Sequence, residues 1–124
     1  MGKFTIKETK TGYTFNLKAP NGEIIAAGSE VYVSKKNCEN GIASVQKNAP
    51  IAPVEDQTVE NYEVQKHPKF EVYVDKAGEF RFRLKASNGE IIAVSEGYTR
   101  KPSCFNGIES VRKNAPDAEI VMAE

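Results

Sequence analysis

An α+β fold made of two tandem β-β-β-α units is what this sequence predicts, and three observations predict it. Residues 3–50 return as residues 69–116, with 28 of 47 aligned pairs identical once single-residue gaps are allowed around Glu79 and Gly28. Each copy contains runs in which apolar and polar residues alternate, the period of a half-buried strand, separated by turn residues. Each copy then closes on a stripe with helical spacing: Cys38, Ile42, Val45 and Ala49 in the first, Cys104, Ile108, Val111 and Ala115 in the second. Identity at this level marks an internal duplication, and a repeat of this period sets the fold before any single element does.

The first strand of each copy alternates strictly. Phe4 and Ile6 interleave with Thr5 and Lys7, and Phe70, Val72 and Val74 interleave with Glu71, Tyr73 and Asp75. Four-residue connections are expected at Thr9–Gly12 and Asp75–Gly78, each ending in a glycine able to take positive φ. In the second strand Tyr13, Phe15 and Leu17 share one face, as do Phe80, Phe82 and Leu84. Thr14, Asn16 and Lys18 share the other, against Arg81, Arg83 and Lys85 in the second copy. Asn21-Gly22 and Asn88-Gly89 predict type I′ hairpin turns. The third strands, Glu23–Ala26 and Glu90–Val94, are apolar without alternation and so are expected to be covered on both sides.

The helices carry start and stop signals. Pro102 suits a first turn, where its missing N–H costs nothing. Lys47 and Lys113 fall in the last turn, favourable for the dipole. Asn48 and Asn114 are expected as left-handed C′ caps, with Pro50 and Pro116 preventing continuation. Gly41 and Gly107 stand mid-helix, where glycine costs roughly 1 kcal/mol against alanine. Close approach of helix to sheet is the inferred compensation.

One domain is expected: repeat one at 3–50, a linker at 51–68, repeat two at 69–116 and a tail at 117–124. A unit of this size is marginal alone. Two units that pair strand edges would form one six-stranded antiparallel sheet with both helices on one face. The repeats then act as an internal pseudo-dimer, and the chain is expected to be a monomer. The linker either holds a short element or drapes over the surface, and Glu119–Met122 is either a last strand or a docking segment.

Lysine and arginine number 17, as do aspartate and glutamate, so no global field draws the protein to nucleic acid, membrane or an acidic partner. No apolar run approaches spanning length, and the first residues run directly into a strand pattern with Ile6 where a myristoylation signal wants Ser or Thr. A cytoplasmic setting is expected.

The combination of Asn-Gly-Glu-Ile-Ile-Ala, Ser-Glu-x-Tyr and Cys-x-Asn-Gly-Ile-x-Ser-Val-x-Lys-Asn-Ala resembles the YegP-like family of small, mostly bacterial proteins. The resemblance covers both repeats. It implies tandem β(3)-α units, or dimers of single units, with helices swapped across one sheet. It implies no activity and no catalytic residues. Repeat one departs from the commoner pattern at Val31, where repeat two has Gly97, and at the inserted Gly28.

No set of residues converges on a reaction. Cys38 and Cys104, the only cysteines, could serve as a redox pair or as metal ligands, but neither repeat supplies a histidine, and their place on the apolar stripe favours buried structural thiols. His67, the sole histidine, stands in the linker. Glu23/Glu90 and Glu30/Glu96 are shared between the copies; acid–base work would require two of them to meet in a cleft. Asn40/Asn106 and Ser44/Ser110 are also shared, and suit either a structural contact or the lip of a ligand site in each repeat. Tyr73 with Arg81, Arg83 and Lys85 forms a basic, aromatic stripe on the predicted open sheet face, a surface type that holds single-stranded nucleic acid. Lys35, Lys36, Arg100 and Lys101 at the helix starts could hold an anion. The expectation is therefore a non-enzymatic interaction module of unknown partner, with no cofactor or metal. A nucleic-acid or anion binder is the alternative, and a redox or enzymatic role of the cysteines a remoter one.

Overall fold

The alternating runs of each copy form three antiparallel strands: β1 (Lys3–Thr9), β2 (Gly12–Lys18) and β3 (Ile24–Gly28), then β5 (Lys69–Val74), β6 (Phe80–Lys85) and β7 (Ile91–Val94). The helices are α1 (Lys35–Asn48) and α2 (Lys101–Asn114). Two further strands, β4 (Val54–Asp56) and β8 (Glu119–Met122), come from the linker and the tail. The computed structural model describes residues 2–123; Met1 and Glu124, at the ends of the assigned domain and tail, lie outside the described residues.

The strand order is β4-β5-β6-β7-β3-β2-β1-β8, and the copies meet antiparallel through β3 and β7. The sheet is thus eight-stranded and mixed, where six antiparallel strands were expected. The two additions are parallel: β4 runs beside β5 and β8 beside β1. Each follows its own helix but pairs with the other copy. A helix of 14 residues is roughly 21 Å long, enough to cross about four strands. Accordingly α1 packs on β1 and β2 of its own copy and on β7 of the other, and α2 packs on β6 and reaches β3. The helices straddle the seam and are not swapped outright; the strands after them are what the copies exchange.

Core and turns follow from the same residues. Phe4, Phe15, Phe70 and Phe82 are buried, paired edge to face at 5.8 and 5.9 Å between ring centroids. Tyr32 stacks on Phe15, and Tyr98 on Phe82. A Cβ on Gly41 would collide with the Tyr32 hydroxyl and ring, and one on Gly107 with Tyr98 and Phe82. The mid-helix glycines therefore seat the two tyrosines.

Three local expectations change. In the β2–β3 and β6–β7 hairpins only the glycine takes positive φ (Gly22 +89°, Gly89 +86°), with Gly22 N–H bonding Ala19 C=O and Gly89 N–H bonding Ala86 C=O. These are four-residue turns whose Asn side chain accepts from the N–H two residues on, and the register shifts beside them replace the two-residue type I′ loop. Asn48 and Asn114 end the helices in helical conformation, ahead of right-handed Ala49 and Ala115 caps, and their amides donate back to the Ser44 and Ser110 carbonyls at 2.8 and 2.9 Å. The third strands bury Ile25, Ala26, Ile92 and Ala93 but leave Ile24 and Ile91 exposed, so two-sided cover holds only for their central residues. The gap at Glu79 also has a physical correlate: its carboxylate occupies the space a side chain on Gly97 would need, whereas repeat one lacks that glutamate and carries Val31.

Candidate functional site

The sheet face opposite the helices in repeat two is a network of ion pairs. Arg83 Nε lies 2.6 Å from Glu71 Oε1, and Lys85 Nζ lies 3.2 Å from Glu71 Oε2. Lys69 Nζ stands 2.7 Å from Glu55 Oε1 and 3.3 Å from Glu71 Oε2. Arg81 Nε bonds Asp75 at 2.5 Å, and the Arg83 guanidinium lies 4.4 Å from the centroid of the Tyr73 ring. The predicted stripe of Tyr73, Arg81, Arg83 and Lys85 is therefore brought together, but each cation already faces a carboxylate. Glu55 and Lys69 are almost wholly buried, a role the sequence hid because both sit outside the alternating apolar set. Burial pushes the Glu55 carboxyl up, yet bonds from Lys69, Gln57 and the Gln65 N–H outweigh it and bring it to about 2.

At the helix starts, Lys101 pairs with Asp56 at 2.5 Å, while Lys35, Lys36 and Arg100 are exposed. A carboxylate thus offsets the one half-buried cation of that set, and Ser34 caps α1 by accepting from the Asn37 N–H. Burial pushes the Cys104 thiol up to about 11, and burial also raises Cys38. Both thiols are free and buried. Among the described residues no three metal-binding side chains cluster, and no helix is long and apolar enough to cross a membrane. His67 packs beside Gly89, within ordinary contact distance of a Cβ there.

The shared polar residues converge differently. Between α1 and the β6–β7 turn of the other copy runs a groove of about 750 Å³ that includes Glu30, Tyr32, Asn40, Ser44, Asn88 and Glu90. A second space of about 390 Å³ continues it along Ser44, Lys47 and Asn48. Across the pseudo-twofold, α2 and the β2–β3 turn enclose about 580 Å³ lined by Asn21, Asn106, Ser110, Lys113 and Asn114. Asn40 and Asn106 are exposed at the mouths, while Asn48 and Asn114 are buried against Ser44 and Ser110. Glu30 and Glu90, separate in sequence, both line the larger groove. The turn residues Asn21 and Asn88, legible in the sequence as turn formers, also line these spaces, which the sequence did not reveal.

A match to the family described as "Domain of unknown function (DUF1508)" covers residues 9–56 and again 75–121. The chain belongs to that family. Its UPF0339 member YegP of Yersinia pestis is 48% identical over 115 residues, 92% of this chain and 88% of that protein. A UPF0339 protein of Treponema denticola is 68% identical over 53 residues, 43% of this chain but 91% of that protein, so one repeat corresponds to nearly a whole relative. The DUF1508 fold is also seen in a UPF0339 protein of Shewanella oneidensis (TM-score 0.79, 32% identity, 98% of this chain and 90% of that one). The solution structure of yegP from E. coli, itself described as of unknown function, gives a TM-score of 0.77 at 34% identity, covering 98% of this chain and 91% of that one.

Proposed function

We propose that the protein is a non-enzymatic binding module whose ligand contacts lie in the two matched grooves between each helix and the opposite hairpin. One observation carries this reading: Asn40 and Asn106, kept identical through the duplication, are exposed at groove mouths, where packing does not require them. Carboxamides and serine hydroxyls in both grooves, with Glu30 and Glu90 lining the larger one, suit a polar group rich in hydrogen-bond donors, borne by a small molecule or by a segment of a protein partner. The free thiols suit a cytoplasmic setting.

A thermal-shift screen with a library of small polar metabolites tests the reading. A stabilising compound should lose part of its effect with Asn40→Ala and the remainder with Asn40→Ala/Asn106→Ala. Stabilisation untouched by the double change would overturn the groove assignment. Turnover of any compound that depends on Asn40, Ser44, Asn106 or Ser110 would overturn the non-enzymatic one. The second reading is single-stranded nucleic acid or another polyanion on Tyr73, Arg81, Arg83 and Lys85. The stacked Arg83–Tyr73 pair favours it and the internal carboxylates weigh against it. It requires binding that Arg83→Glu weakens and that falls as salt rises.

A further inference from the structure

Repeat two carries its own anion between two facing lysines. Lys69 and Lys85 stand directly opposite each other across β5 and β6, a like-charge pairing that is destabilising by itself. Glu71 bridges both, Glu55 adds a second carboxylate to Lys69, and the Gln65 N–H closes over Glu55 at 2.8 Å.

Repeat one has the same lysine pair, Lys3 opposite Lys18, on the same face of the sheet. Thr5 stands at the position of Glu71, Asn16 at that of Arg83 and Val121 at that of Glu55. Among the described residues Lys3, Lys7 and Lys18 form no ion pair; Glu119, beside Lys3 in the parallel ladder, is exposed and outside ion-pair distance. Repeat one shares the facing lysines with repeat two but has neither of the two buried carboxylates that hold them there.

We propose that the open face of repeat one, centred on Lys3 and Lys18, docks an acidic extended segment of a protein partner. One of its carboxylates bridges the two lysines as Glu71 does in repeat two. Lys7 lies four residues along β1, roughly 13 Å from Lys3, so the cations suit charges spaced along an extended chain better than one small anion. The face offers Thr5, Thr14, Asn16 and Ala27 and no aromatic ring, which disfavours stacking of nucleic-acid bases.

The test is an amide NMR titration of the full chain with hexaglutamate peptide at low salt. Shifts should fall on residues 3–7 and 14–18 and fade as salt rises. Thr5→Glu, which installs the missing internal carboxylate, should weaken binding on the order of tenfold, the scale of one charge-assisted hydrogen bond. Lys18→Gln, a change at a half-buried position that keeps the proposal testable if Thr5→Glu fails to fold, should do the same. Three results would overturn the proposal: shifts spread over the lysines of both repeats, either variant binding as tightly as the parent, or hexathymidylate displacing the peptide from these residues by tighter binding.

Discussion

Lys69 lies between two buried carboxylates; removing it leaves Glu55 without a cation, while Glu71 keeps Arg83 and Lys85. Lys69→Met should cost about 3–5 kcal/mol in urea unfolding, the usual penalty for breaking a buried ion pair from one side. Glu55 adds a pH signature. Its carboxyl, ordinarily near 4.5, is held at about 2 in the folded chain. A folded value below the unfolded one contributes stability above pH 4.5 that is lost as pH falls from there toward about 2. Glu55→Gln should therefore flatten the stability profile across that window; a profile of unchanged slope would contradict the buried pair. Raised by burial, the thiols of Cys38 and Cys104 should label with iodoacetamide only as fast as the protein unfolds. Rapid native labelling of either would restore a redox reading. The apolar stripe already pointed to inert thiols, because helical spacing put both cysteines beside Ile and Val. The Glu55–Lys69 pair was not legible, since 55 and 69 meet only after a strand forms within the linker.

At the scale of elements, the helix glycines and their tyrosines are the most specific pairing. Alanine would gain about 1 kcal/mol of helix propensity at an open site, but here its Cβ meets Tyr32 or Tyr98. Overpacking costs typically about 1–3 kcal/mol, so both changes should destabilise on balance. Gly107→Ala should cost more than Gly41→Ala, because buried Phe82 joins Tyr98 at that position. Chemical denaturation of the two variants decides it, and a stabilised Gly107→Ala would refute the seating role. Close helix approach was readable from the glycine alone, whereas the tyrosine was not, since contact between residues nine apart depends on how the chain turns after β3 and β7. The asparagine caps were misread for a related reason. The sequence motif for a left-handed cap and the motif for an amide returning to the carbonyl four residues back use the same residue type.

For the whole molecule, alternation and duplication pointed to the six inner strands and both helices, while the linker and the Glu119–Met122 tail were legible only as alternatives, a short element or strand against a surface segment. Val54–Asp56 and Glu119–Met122 are short and lack strict alternation, and they acquire strand character only by pairing with the opposite copy. That pairing makes an asymmetric prediction. Truncation after Asp117 removes β8, which belongs to repeat two in sequence and to repeat one in space. Amide hydrogen exchange should accelerate in β1 and β2 more than in β6 and β7. Loosening confined to repeat two would contradict the exchange of strands. The grooves were half legible: their helical wall was visible as shared Asn and Ser, and the facing turn was not, because nothing local says which hairpin a helix will reach.

The most direct measurement is an amide NMR titration of the full chain with whichever polar compound the thermal-shift screen returns. The account expects parallel shifts along residues 40–48 with 86–90 and along 106–114 with 19–22, one set per groove. Shifts confined to Tyr73 and Arg81–Lys85 and erased by moderate salt would contradict it and move binding to the charged sheet face.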